Sequence, residues 1–81
     1  MSTNDHPRFV ICIRNSGHLA SLELRKLYEV MDDAEAEKDD MIRVIDESGE
    51  DYLFPSDMFV AAPLPEAVEE AVLHATDQPA A

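Results

Sequence analysis

Two short apolar runs, Met41-Ile42-Arg43-Val44-Ile45-Asp46 and Asp51-Tyr52-Leu53-Phe54, stand on either side of Glu47-Ser48-Gly49-Glu50. Each run is too short for an ordinary helix and carries β-branched or aromatic residues, while the polar link holds a glycine able to take positive φ at low cost. That arrangement is the signature of a β-hairpin and commits the middle of the chain to antiparallel strands. Pro55 follows at once. It cannot donate to a ladder, so it stops the return strand or places it at an edge.

A third strand is predicted upstream. Phe9-Val10-Ile11-Cys12-Ile13-Arg14 is apolar on both faces and ends at Asn15-Ser16-Gly17-His18, which is turn chemistry. Downstream of Pro55, Ser56-Asp57 suits one tight helical turn, and Met58-Phe59-Val60-Ala61 is another short apolar run. From Pro65 the stretch through Ala75 suits a short helix, with proline at its start, Glu66 in its first turn and a thin apolar face of Val68, Ala71, Val72 and Ala75. Residues 1–8 and 76–81 read as flexible tails.

Residues 20–37 support two readings. Leu24, Leu27, Tyr28 and Met31 fall at helical spacing in a segment rich in Leu, Glu and Lys. Leu22, Leu24, Tyr28 and Val30 also alternate as a strand would, with Lys26 as the break. The next segment, Asp32 to Asp40, carries six carboxylates against one lysine and reads as a solvated loop or a frayed helical end.

A resemblance bears on that choice. Cys12-Ile13-Arg14-Asn15-Ser16-Gly17, Leu22, Lys26-Leu27-Tyr28-Glu29-Val30, and the run from Ile42 to Pro55 resemble a family of short bacterial and phage proteins similar to SH3-like barrels. Phe54-Pro55-Ser56-Asp57-Met58-Phe59-Val60 is similar to the end of an SH3 domain, where a strand, a Pro-Ser turn and a final short strand follow one another. The resemblance spans roughly residues 9–62 and implies that Lys26–Met31 is a strand. Its pattern has glycine just before that strand, where this chain has Arg25. The fold it implies over 9–62 is a small SH3-like barrel of about five strands, which with the short C-terminal helix over 63–75 makes the expected fold mainly β.

Charge narrows the partners. The net charge is −12; all six basic residues lie in the first 43 positions, and from Val44 onward there are nine carboxylates and no Lys or Arg. Phosphate contacts dominate nucleic-acid affinity, so DNA and RNA are disfavoured, and anionic membrane surfaces likewise. The expected partner is a basic or neutral protein, or nothing beyond the solvent. A single cysteine, Cys12, fits a reducing compartment. No signal peptide or run of roughly 20 apolar residues is legible, so the expected location is cytoplasmic.

Reactive constellations are not legible. His6, His18 and His74 are far apart in sequence, and only Cys12 could join them as a zinc ligand. Cys12 itself, on a buried strand, reads as core packing. The acidic run lacks the spaced ligands and central glycine of a calcium loop. Asp46/Glu47 and Glu50/Asp51 flank a turn tip, which offers no cleft to drive their pKa values apart. With only Gly17 and Gly49 there is no phosphate-cradling loop, and no metal or cofactor is expected. Tyr28, Tyr52, Phe54 and Phe59 serve either a peptide groove or the core; with no Trp, proline-peptide recognition is disfavoured.

The expected function is therefore a non-catalytic protein-interaction module docking through a turn-rich face around Asn15, His18, Pro55 and Met58. The alternative is an acidic mimic or inhibitor that occupies a basic, nucleic-acid-binding surface of another protein. Oligomeric state is not set: the C-terminal helix has either the open end of the barrel or a second copy to pack against.

Overall fold

The computed structural model describes residues 8–75. In chain order they form β1 (Phe9–Cys12), β2 (Leu27–Met31), α1 (Ala34–Lys38), β3 (Met41–Ile45), β4 (Asp51–Pro55), a 3-10 turn (Ser56–Met58), β5 (Phe59–Ala61) and α2 (Glu66–Leu73). The five strands make one antiparallel sheet in the order β4-β3-β2-β1-β5. The flexible tails expected over 1–7 and 76–81 lie outside the described residues. Arg8, expected in the tail, instead joins the sheet: its carbonyl accepts from the Val30 N–H at 2.9 Å.

Within the ambiguous segment Leu27–Met31 is a strand, and this β2 ties the fold together. Its first half pairs with β1 through Phe9↔Glu29, Val10↔Tyr28 and Ile11↔Leu27. Its second half pairs with β3 through Val30↔Val44 and Met31↔Arg43. The helical spacing misleads because Arg25 sits at φ 66, a left-handed conformation that ends any helix passing through it. The next residue, Lys26, gives its carbonyl to the Cys12 N–H at 3.0 Å, and the Arg25 N–H reaches back to the Cys12 carbonyl at 2.7 Å.

The hairpin forms as the sequence predicts, with Ile42↔Phe54 and Val44↔Tyr52 in register and Pro55 ending the edge strand opposite Met41. Gly49 takes φ 85 in the turn. Asp46 is buried there, its Oδ1 accepting from the Ser48 N–H at 2.8 Å and the Ser48 hydroxyl at 2.6 Å. Within the exposed acidic segment Ala34–Lys38 is ordered as the short helix α1. Asp33 caps it by accepting from the Ala36 N–H at 3.0 Å, and Asp40, at φ 58, turns the chain out of it.

Val10, Cys12, Leu22, Tyr28, Val44, Phe54, Met58 and Phe59 form the core, with Val30 and Ile42 packed against it. Phe59 meets both Tyr28 and Phe54 edge to face, at ring-centroid distances of 6.4 and 6.1 Å. The barrel expected from the resemblance is not closed: among the described residues no ladder joins β4 to β5, so the sheet keeps two edges. A strand of three residues, Phe59–Ala61, preceded by a 3-10 turn, pairs with β1 alone. Helix α2 follows Pro65, which caps it, and buries none of its residues. Val72 and Leu73 share a hollow of about 270 Å³ with Phe9, Leu27 and Ile45, and Arg8 Nη1 lies 3.7 Å from Glu69.

Candidate docking surface

The four residues singled out in the sequence occupy different settings. Asn15 and His18 belong to one turn, in which the His18 N–H donates to the Asn15 carbonyl at 2.9 Å. The Asn15 side chain is used internally, donating to the Leu22 carbonyl at 3.0 Å. His18 stands edge-on to Phe54 at 5.0 Å and lines a hollow of about 280 Å³ with Ser21, Ser48, Tyr52 and Leu53. Pro55 is exposed on the edge strand. Met58 is only 6% exposed and is a core residue; its carbonyl, not its side chain, reaches the turn, accepting from the Ile13 N–H at 2.8 Å. The structure thus puts Asn15 and His18 in one turn, sets the Met58 carbonyl against the Ile13 and Arg14 N–H groups that precede it, and leaves Pro55 exposed on the edge strand.

The cations are almost all committed inside the molecule. Arg8 pairs with Glu69, Arg14 with Asp57, Lys26 with Glu47, Lys38 with Glu35, and Arg43 with both Asp33 and Asp51. Among the described residues only Arg25 of the basic side chains has no such partner. The carboxylate excess is therefore presented outward with little compensation.

Two polar clusters flank β2. At its start, the Tyr28 hydroxyl accepts from the Glu23 N–H at 2.7 Å and donates to Glu47 Oε2 at 2.6 Å, and Lys26 Nζ meets the same carboxylate oxygen at 2.6 Å. Lys26 and Tyr28 beside Glu47 hold its carboxyl below the usual range, while burial and then Glu47 push the Tyr28 hydroxyl up. Every group there has a partner, so the cluster is a staple between the 23–26 loop and the hairpin.

At the end of β2 lies the other cluster. Val30, Met31, Met41 and Ile42 form the apolar floor of a cavity of about 180 Å³, bordered by Asp32, Asp33, Glu37, Asp40, Arg43 and Ser56. The Arg43 guanidinium is engaged on two sides, through Nε to Asp33 Oδ2 at 2.8 Å and through Nη1 to Asp51 Oδ2 at 2.9 Å. Arg43, then the Ala36 N–H, hold the Asp33 carboxyl below its ordinary value. Asp32 and Asp40 have no hydrogen-bond or ion-pair partner for their carboxylates among the described residues.

Sequence reasoning passed over this cavity because it treated the acidic run as a solvated segment. The available signal was a methionine at each end of that run, Met31 and Met41, which the turn of α1 brings to one place. Among the described residues no group of His, Cys, Asp and Glu is arranged to hold a metal ion, and no helix is long and apolar enough to cross a membrane. No family model, curated protein or solved structure matches the chain.

Proposed function

We propose that this protein is a non-catalytic protein-interaction module, built as a half-open SH3-like barrel, that docks on a basic or neutral protein. The barrel reading is supported by β2 dividing its length between two ladders and by the 3-10 turn between β4 and β5. The observation that carries the functional reading is the apolar cavity rimmed by carboxylates, set in a surface whose cations are nearly all paired within the molecule. Exposed apolar side chains rimmed by polar ones are one mark of a contact surface. The Tyr28–Glu47–Lys26 and Asp33–Arg43–Asp51 clusters on either side of β2 have the complementary pairing of a scaffold.

The test is affinity capture from a native lysate against a decoy protein of matched negative charge. A specific partner enriched over the decoy and retained through a moderate-salt wash is the expected result. Equal recovery on both columns at every salt concentration would remove the interaction-module reading.

A second reading has its own support. Because the cations are internally paired, the outward carboxylates could imitate a polyanion and occupy a nucleic-acid-binding surface. That reading expects affinity to fall steeply with added salt and the partner to be displaced by DNA or RNA. A shallow salt dependence favours the apolar docking mode instead.

A further inference from the structure

We propose that the cavity between α1, β2 and β3 receives one long cationic side chain, arginine or lysine, from a basic segment of the partner; this rests on the interaction-module reading and specifies its contact. At about 180 Å³ the cavity is smaller than the roughly 300–1,000 Å³ of pockets that take drug-sized ligands, and suits a single side chain. Its floor is hydrocarbon and thioether: Met31, Met41 and Ile42. Methionine adapts to an irregular guest better than a branched side chain, and Met31 is already 42% exposed.

The rim decides the charge of the guest. Asp32 and Asp40 are exposed and their carboxylates have no internal partner, while Arg43 is neutralised by Asp33 and Asp51. An anionic guest meets uncompensated like charge. A purely aliphatic guest desolvates the rim carboxylates with nothing in return. An arginine or lysine places its methylene stem on the methionines and its charged head among the carboxylates, the division such side chains adopt at other polar–apolar boundaries.

The experiment is an amide-resonance titration of the full chain with a capped Gly/Ser peptide carrying one central arginine. Parallel arms carry lysine, citrulline, norleucine or glutamate at that position. The expected result is shifts centred on Met31, Asp32, Asp40, Met41 and Ile42 for arginine and lysine. Citrulline, which keeps arginine's shape without its charge, binds about fivefold more weakly, the size of one exposed charge contact.

The double variant Asp32→Asn/Asp40→Asn weakens the arginine peptide by a similar factor, and Asn keeps the left-handed backbone at position 40 available. Met31→Ser weakens arginine and norleucine peptides together. Arginine shifts scattered over the acidic surface, unchanged by the double variant, overturn the cavity assignment while leaving the lysate capture free to succeed. Tighter binding of norleucine than arginine overturns the cationic guest, and no shift with any peptide overturns the site.

Discussion

The two ends of β2 are built on opposite plans. At Tyr28 the strand enters a cluster in which the hydroxyl both accepts and donates and Lys26 meets the Glu47 carboxylate. At Met31 it leaves through an apolar hollow whose bordering carboxylates Asp32 and Asp40 have none. A satisfied cluster specifies structure, because breaking it strands a buried group. An underfilled hollow with unpaired charge contributes little to folding and remains available to a partner. The contrast assigns stability to the first end and binding to the second.

The largest effect is expected in the core that both ends share. Leu22 is fully buried, so Leu22→Ala should cost about 2–5 kcal/mol, read from the urea midpoint. A cost near zero would mean that the 18–22 turn is not packed as described. Next comes the staple: Tyr28→Phe leaves the Glu23 N–H and Glu47 without their shared partner and should cost about 1–2 kcal/mol. If that variant melts like the parent, the first end of β2 is no more structural than the second.

Arg25 offers a change of opposite sign. Its φ of 66 costs a non-glycine residue about 1–2 kcal/mol, and glycine returns part of that as chain entropy, so Arg25→Gly should stabilise by about 0.5–1 kcal/mol. Differential calorimetry showing a lower melting temperature would contradict the left-handed assignment.

Acid should reach both ends, through one ion-paired carboxylate at each. Glu47, held low by Lys26 and then Tyr28, and Asp33, held low by Arg43, bind protons more weakly folded than unfolded. Their contribution is intact above the ordinary values of 4.5 and 3.8 and is lost as pH falls through the lower, folded ones. Urea midpoints taken stepwise below pH 4.5 should therefore decline, and Glu47→Gln should flatten that decline. The smallest effect is expected at the cavity: Met31→Ser should shift the midpoint by no more than about 0.5 kcal/mol, as for other surface positions.

Much of this fold was legible in the sequence, for reasons that are local. The hairpin, the proline at its end, the tight turn at Ser56 and the helix after Pro65 each rest on residue types whose backbone preferences act within a few positions. The β2 segment was harder, since Leu24, Leu27, Tyr28 and Met31 satisfy a helical period that only the backbone at Arg25 breaks, and arginine does not advertise a left-handed turn. Strand closure was not legible, because it depends on how far apart the sheet's two edges come to lie. The candidate site was the least legible part. Met58 looked like a surface residue beside a turn but points into the core, and the cavity exists only because α1 folds Met31 back toward Met41.

The most direct test sets the two ends of β2 against each other in one titration, with the arginine peptide added to Tyr28→Phe and to Asp32→Asn/Asp40→Asn. Affinity kept by the first and reduced in the second is the predicted result. Affinity lost in Tyr28→Phe under folded conditions, and kept in the double variant, would contradict the division of labour between the strand's ends.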